Sequence, residues 1–211
     1  MTAYRAALII DPDWMAERLR LARALYGPAP KRVLGTVWWY STSSLLVAPP
    51  LEALLHTGRA VDPALDAVTL QIHPDGRLVD AHSSRLFDGD ATALGTAMGD
   101  ALAAAVASVS SACGAGERAL WAIAADSIAN RALWAGQAVD DVDGALTLVG
   151  AVADGIGPAL PRPRFERYRE RLVVRRVSCC LIDKATGLDK CASCPNQHPD
   201  ERARRILAAL P

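Results

Sequence analysis

The residues of this chain best equipped for chemistry are four cysteines toward its C-terminal end. Cys179 and Cys180 are adjacent, and Cys191 and Cys194 follow in the stretch SCCLIDKATGLDKCASC. Four thiolates complete the tetrahedral shell of one zinc ion, or hold an iron–sulfur core with two sulfurs on each iron. The vicinal pair bears on that choice. Neighbouring side chains on a regular strand point to opposite faces, so Cys179 and Cys180 can serve one centre only where the backbone leaves that geometry or the strand ends. A two-iron core spreads its terminal positions in space and accommodates such a pair more readily than a single small ion. A zinc ribbon wants two spaced pairs, and here the first has no spacer. His198, in CASCPNQH, keeps a zinc reading open through a mixed cysteine/histidine set.

In a reducing compartment, clustered cysteines bind metal or do redox work more often than they form structural disulfides. Cys113 stands apart in an Ala/Ser-rich helical pattern and reads as a small buried apolar residue. His56, His73 and His82 lack metal-ligand spacing to one another. From Pro161 onward the chain holds twelve basic residues against six acidic ones, although the formal net charge of the whole is zero. Positive charge beside thiolates favours their ionised form and a reduced cluster. It could also steer an acidic electron donor, and a solvated arginine-rich surface gives the same count. Arg175 and Arg176, immediately before the cysteines, are the residues expected to touch the centre's surroundings or a substrate.

The segment RRVSCCLIDKATGLDKCASCP, with its C-C-x10-C-x2-C spacing, a preceding arginine pair and a following proline, resembles the FhuF-type ferric-siderophore reductases. The resemblance is specific over about the last forty residues. Upstream it rests on general features: a helix carrying Trp39-Tyr40, a hairpin, Ala-rich helices and a Leu120-Trp121 pair. It implies a [2Fe–2S] cluster with all four ligands from Cys179, Cys180, Cys191 and Cys194. It further implies one-electron reduction of Fe(III) held by a siderophore of hydroxamate type, in a cytoplasmic protein with at most loose peripheral membrane association. The electron would come from a separate donor, a ferredoxin or a flavin reductase, because no flavin, NAD or phosphate-binding fingerprint is visible. The alternative is a binding or interaction module stapled by zinc through four cysteines, or three with His198.

The elements that must position these cysteines can be read from caps and periodicity. Asp11 followed by Pro12 predicts the start of a helix that Gly27-Pro28 ends. The apolar run VLGTVWWYSTSSLLVAP favours a helix, with Pro49-Pro50 expected to stop it and a short continuation through LEALLHTG. AVTLQIHPDGRLVDAHS predicts a hairpin turning at PDG. Asp90 caps an Ala-rich helix to about Ala112, and GERALWAIAADSIANRALWAG predicts another, with Leu120, Ile123, Ile128 and Leu133 inward. A weaker helix covers Asp141 to Ile156, interrupted by Gly144, Gly150 and Gly155. After the Gly/Pro-rich break GIGPALPRPRF, a strand is expected at Leu172 to Val177, then the cysteine loop, then a terminal helix from Pro199. Trp38, Trp39, Tyr40, Trp121 and Trp134 read as core, with a pocket wall the alternative for the first three, and Asp126 with Arg131 as an exposed stripe, with a functional polar pair the alternative.

The expected fold is α+β: helix-rich, with a small antiparallel sheet and a C-terminal iron–sulfur lobe. A helix-rich, substrate-binding part would span residues 1–160 and the cluster-binding segment 161–211. With 211 residues, 51% apolar and 22% charged, the chain can bury a sizeable core. Zero net charge argues against nucleic acid as a partner. No signal peptide is recognisable, and no run of about 18 uninterrupted apolar residues predicts a spanning helix.

Overall fold

The computed structural model describes residues 1–210 as seven α-helices and five short strands. It bears out the helix-rich α+β expectation. Helix α1 (Pro12–Tyr26) starts as its sequence dictates. The Asp11 carboxylate accepts the Trp14 N–H at 2.8 Å, Pro12 sits where no donor is needed, and the chain leaves at Gly27 with φ 98°. Asp90 and Asp141 cap α3 (Ala91–Cys113) and α5 (Val142–Ile156) in the same way. Helix α4 (Glu117–Ala138) buries Leu120, Ile123, Ile128 and Leu133 as expected.

Helix α2 departs from its expectation. It runs unbroken from Lys31 to Thr57, straight through Pro49-Pro50. Each proline removes a backbone donor and costs about 3 kcal/mol in a helix interior. Against that, Leu46, Val47, Pro50 and Leu51 are all buried. Full burial of an aliphatic side chain contributes about 1.5–3 kcal/mol, so the packing outweighs the two lost bonds. α2 packs along α4, and polar groups close the seam at points no solvent reaches. Trp39 Nε1 donates to the Leu120 carbonyl at 2.8 Å, and the Ser43 and Ser127 hydroxyls meet at 2.8 Å.

The hairpin of β2 (Val68–Ile72) and β3 (Leu78–Ser83) forms as predicted. A third strand, β1 (Thr2–Arg5), pairs antiparallel with β2 and had no clear sequence signal. Val68, Leu70 and Ile72 turn inward onto the helices. The core lies between this sheet and α2 to α5, with Trp39, Met98, Leu102 and Ile128 wholly enclosed. Cys113 is buried there too, against Gly35 of α2. Trp134 corrects its expectation: it is 53% exposed, with the Arg131 guanidinium 5.6 Å from its ring.

Helix α3 is long and apolar enough to cross a membrane by length and composition. In the fold its apolar face is turned inward against α5 and α1. Beyond α5 the chain makes a second hairpin, β4 (Phe165–Tyr168) and β5 (Arg171–Val174), where a single strand to Val177 was expected. Short helices α6 (Ile182–Thr186) and α7 (Pro199–Ala209) frame the cysteines.

Candidate metal centre

Strand β5 ends at Val174, five residues before the first cysteine, which frees the backbone to place a vicinal pair. The turn comes at Leu181, whose φ of 60° is left-handed. A non-glycine residue pays roughly 1–2 kcal/mol for that conformation. The same turn aims the Leu181 N–H at the Cys179 sulfur, 3.4 Å away. On the other side of the loop, the Cys194 N–H donates to the Cys191 carbonyl at 3.0 Å and closes the CASC turn. Gln197 Nε2 donates to the carbonyls of Cys191 and Ala192, at 3.2 and 2.7 Å. Arg205 of α7 reaches the Lys190 carbonyl at 2.8 Å, so the terminal helix buttresses the loop.

These turns bring all four predicted cysteines into one neighbourhood, two by two. Cys179 and Cys194 sulfurs stand 3.6 Å apart. Cys180 and Cys191 form the second pair, each perturbing the other's thiol. The Cys180 thiol is drawn down to about 5, first by its hydrogen bond with Cys191, then by the Ile182 N–H and the charge of Arg176 acting against burial. Cys191 is driven upward as the proton-keeping partner, and desolvation adds to that. Burial and the neighbouring Cys194 raise Cys179 to about 11.

A buried ion pair ties this loop to the helical core. Asp126, midway along α4, is 2% exposed and accepts from four donors of the cysteine segment: Val177 N at 3.0 Å, Ser178 N at 3.3 Å, Ser178 Oγ at 3.1 Å and Arg176 Nε at 3.4 Å. Burial pushes its carboxyl pKa up against the pull of those donors. The Arg176 guanidinium lies 4.8 Å from the centre of the Tyr40 ring and offers Nη1 to the Cys191 sulfur at 3.4 Å. Its Nη2 is buried without a partner. Arg176 therefore does what was expected of the arginine pair, whereas Arg175 is exposed.

Asp126 is the residue that sequence reasoning missed. It is not part of an exposed stripe; Arg131, its supposed companion, instead bonds Ser44 and Glu52 of α2, at 2.8 and 3.2 Å. The available signal was a mid-helix carboxylate flanked by alanines and isoleucines, a position where burial demands a partner.

The donor set suits a two-iron group. Such a group needs two thiolates on each iron, and the sulfurs are sorted into two pairs. Arg176 Nη1, 3.4 Å from the Cys191 sulfur, is a donor of the kind that stabilises anionic sulfur. Among the described residues no group of three His, Cys, Asp or Glu side chains is gathered closely enough to hold a metal ion. His198 faces solvent, its side chain 74% exposed, and caps α7 by accepting from the Asp200 N–H at 3.4 Å.

Residues 176–195 match the family described as FhuF 2Fe-2S C-terminal domain. The match falls within the segment that carries the resemblance, Arg175 to Pro195, and supports an iron–sulfur function of the siderophore-reductase kind. No curated protein matches the chain.

Proposed function

We propose that this chain is a cytoplasmic oxidoreductase that uses a [2Fe–2S] group, held by Cys179, Cys180, Cys191 and Cys194, to reduce Fe(III) in siderophores. The observation that carries the reading is the gathering of the four cysteines around one turn, with the Cys179 and Cys194 sulfurs 3.6 Å apart and the buried Arg176 guanidinium on the Cys191 sulfur. When bound, a [2Fe–2S] group supplies one electron at a time. Arg176 holds positive charge at the thiolates and favours the extra negative charge of the reduced state. Asp126 keeps Arg176 in place, and Tyr40 covers it from the core side. A separate ferredoxin or flavin reductase delivers the electron, and any membrane association is loose and peripheral.

One electron converts Fe(III) to Fe(II), and the hard oxygen donors of a hydroxamate shell then hold the iron less tightly. The iron passes to cellular ligands. No nucleophile or acid–base pair is required. The test mixes anaerobic, dithionite-reduced protein, freed of excess reductant, with a ferric hydroxamate chelate and an Fe(II) trap. Reoxidation of the protein in step with trapped Fe(II), one for one, is the expected outcome. Protein that stays reduced beside the chelate while free iron salts oxidise it would remove siderophores as substrates.

A further inference from the structure

An open cleft of about 750 Å³ abuts the cysteine segment. Six arginines line it: Arg118 from the first turn of α4, Arg162 and Arg164 ahead of β4, Arg175 and Arg176 after β5, and Arg202 from α7. No carboxylate lines it, and Val177 and Pro195 form its wall on the cysteine side. Three of the arginines have acidic neighbours: Arg162 pairs with Asp154, Arg176 with Asp126, and Arg202 approaches Glu166 at 4.0 Å. Arg118, Arg164 and Arg175 have no carboxylate within 4.0 Å among the described residues.

Two of the lining arginines carry orphan donors. Arg176 Nη2 and Arg202 Nε are both shut off from solvent without a hydrogen-bond partner, and Arg176 as a whole is 7% exposed. A buried N–H left unmade is costly, and a small turn of either guanidinium toward the cleft would let a ligand oxygen satisfy it. A concave site with walls of one charge concentrates ions of the opposite sign. Guanidinium forks also match the flat oxygen pairs of carboxylates. The volume lies in the range of small-molecule sites. The concave shape of the site favours a small ligand over the flat face of a protein.

We propose that this cleft seats the ferric chelate and selects chelates of net negative charge, those with carboxylate or similar groups at their periphery. Three hydroxamates cancel the charge of Fe(III), so the pendant groups decide how the cleft receives the complex. That the guest is an iron chelate rests on the reductase reading; the preference for anions rests on the arginines alone. A more apolar pocket, lined by Trp134, Leu172 and Leu210, holds two arginines, Arg171 and Arg176, against the six of this cleft.

The test uses cluster-loaded protein prepared without oxygen and redox-silent gallium(III) complexes, so that binding is separated from reduction. Two probes share one metal shell: gallium desferrioxamine B, cationic through its pendant amine, and its N-succinyl derivative, anionic. Equilibrium dialysis at low salt is expected to find the anionic complex bound about tenfold more tightly, with the gap closing as salt rises. Arg118→Glu and Arg164→Glu, which touch no cysteine, should each cost the anionic probe roughly threefold to tenfold while sparing the cationic one and the visible spectrum. Equal affinity for both probes, no binding of either, or a preference that survives both substitutions overturns the proposal. So does a result in which the substitutions weaken only the docking of an acidic ferredoxin. If the anion preference holds but reduced protein leaves the iron form of the same anionic complex unreduced, the cleft assignment stands and the reductase reading falls.

Discussion

Arg176 is the residue on which the chemistry turns, because it meets the core and the sulfur at once. Its Nε faces Asp126, its Nη1 faces Cys191, and its plane lies over Tyr40. Desolvation would favour its neutral form, but the surrounding acidic groups outweigh that and raise its pKa further. A charge-assisted hydrogen bond contributes about 1.5–3 kcal/mol. Only the fraction that differs between oxidised and reduced states reaches the potential. At about 59 mV per tenfold for one electron, Arg176→Lys should lower the midpoint by roughly 30–100 mV in a spectroelectrochemical titration, with the visible bands retained. An unchanged midpoint would make Arg176 a structural strut only. The cysteines were legible from spacing because sulfur is scarce and its positions are close in sequence. Asp126 was not, because its partners lie about fifty residues downstream and only the folded chain brings them to α4.

At the scale of elements, the helices whose ends carry Asp caps were legible, since a cap is a local contract between a side chain and an N–H two or three residues on. The strands β1 and β4 were not, because a four-residue strand owes its existence to a partner elsewhere in the chain. The passage of α2 through Pro49-Pro50 was hidden for a similar reason: the compensating burial is tertiary. The glycines of α5 now separate by role. A Cβ at Gly155 would come within 2.1 Å of the Thr92 carbonyl oxygen of α3, a backbone atom that cannot step aside, whereas one at Gly150 would meet nothing within 4 Å. Gly155→Ala should therefore lower the unfolding free energy by about 1–3 kcal/mol as α3 and α5 are pushed apart. Gly150→Ala should raise it by up to about 1 kcal/mol through helix propensity alone. Urea midpoints read both, and the same sign for the two would refute this packing.

For the whole molecule, the apolar core is built almost wholly from residues before the second hairpin, Leu160 being its last fully buried member. The cysteine segment contributes few buried apolar groups: Ala185 toward α2, Ile206 on α7, and the sulfurs themselves. Where burial is scarce, a bound metal group supplies folding energy. Trypsin should accordingly cut at Lys184 and Lys190 in protein stripped of its metal group at least tenfold faster than in loaded protein, leaving the helical part intact. Equal rates would mean that the segment holds itself together without the metal. Five of the twelve basic residues after Pro161 line the arginine cleft that borders the cysteines: Arg162, Arg164, Arg175, Arg176 and Arg202.

The central claim, that these four sulfurs hold a two-iron group, is tested most directly by iron and acid-labile sulfide analysis of protein purified without oxygen. The account predicts about two irons and two sulfides per chain, with visible bands that dithionite bleaches and that vanish in Cys180→Ser. Colourless protein carrying one zinc per chain, or no metal at all, would contradict it.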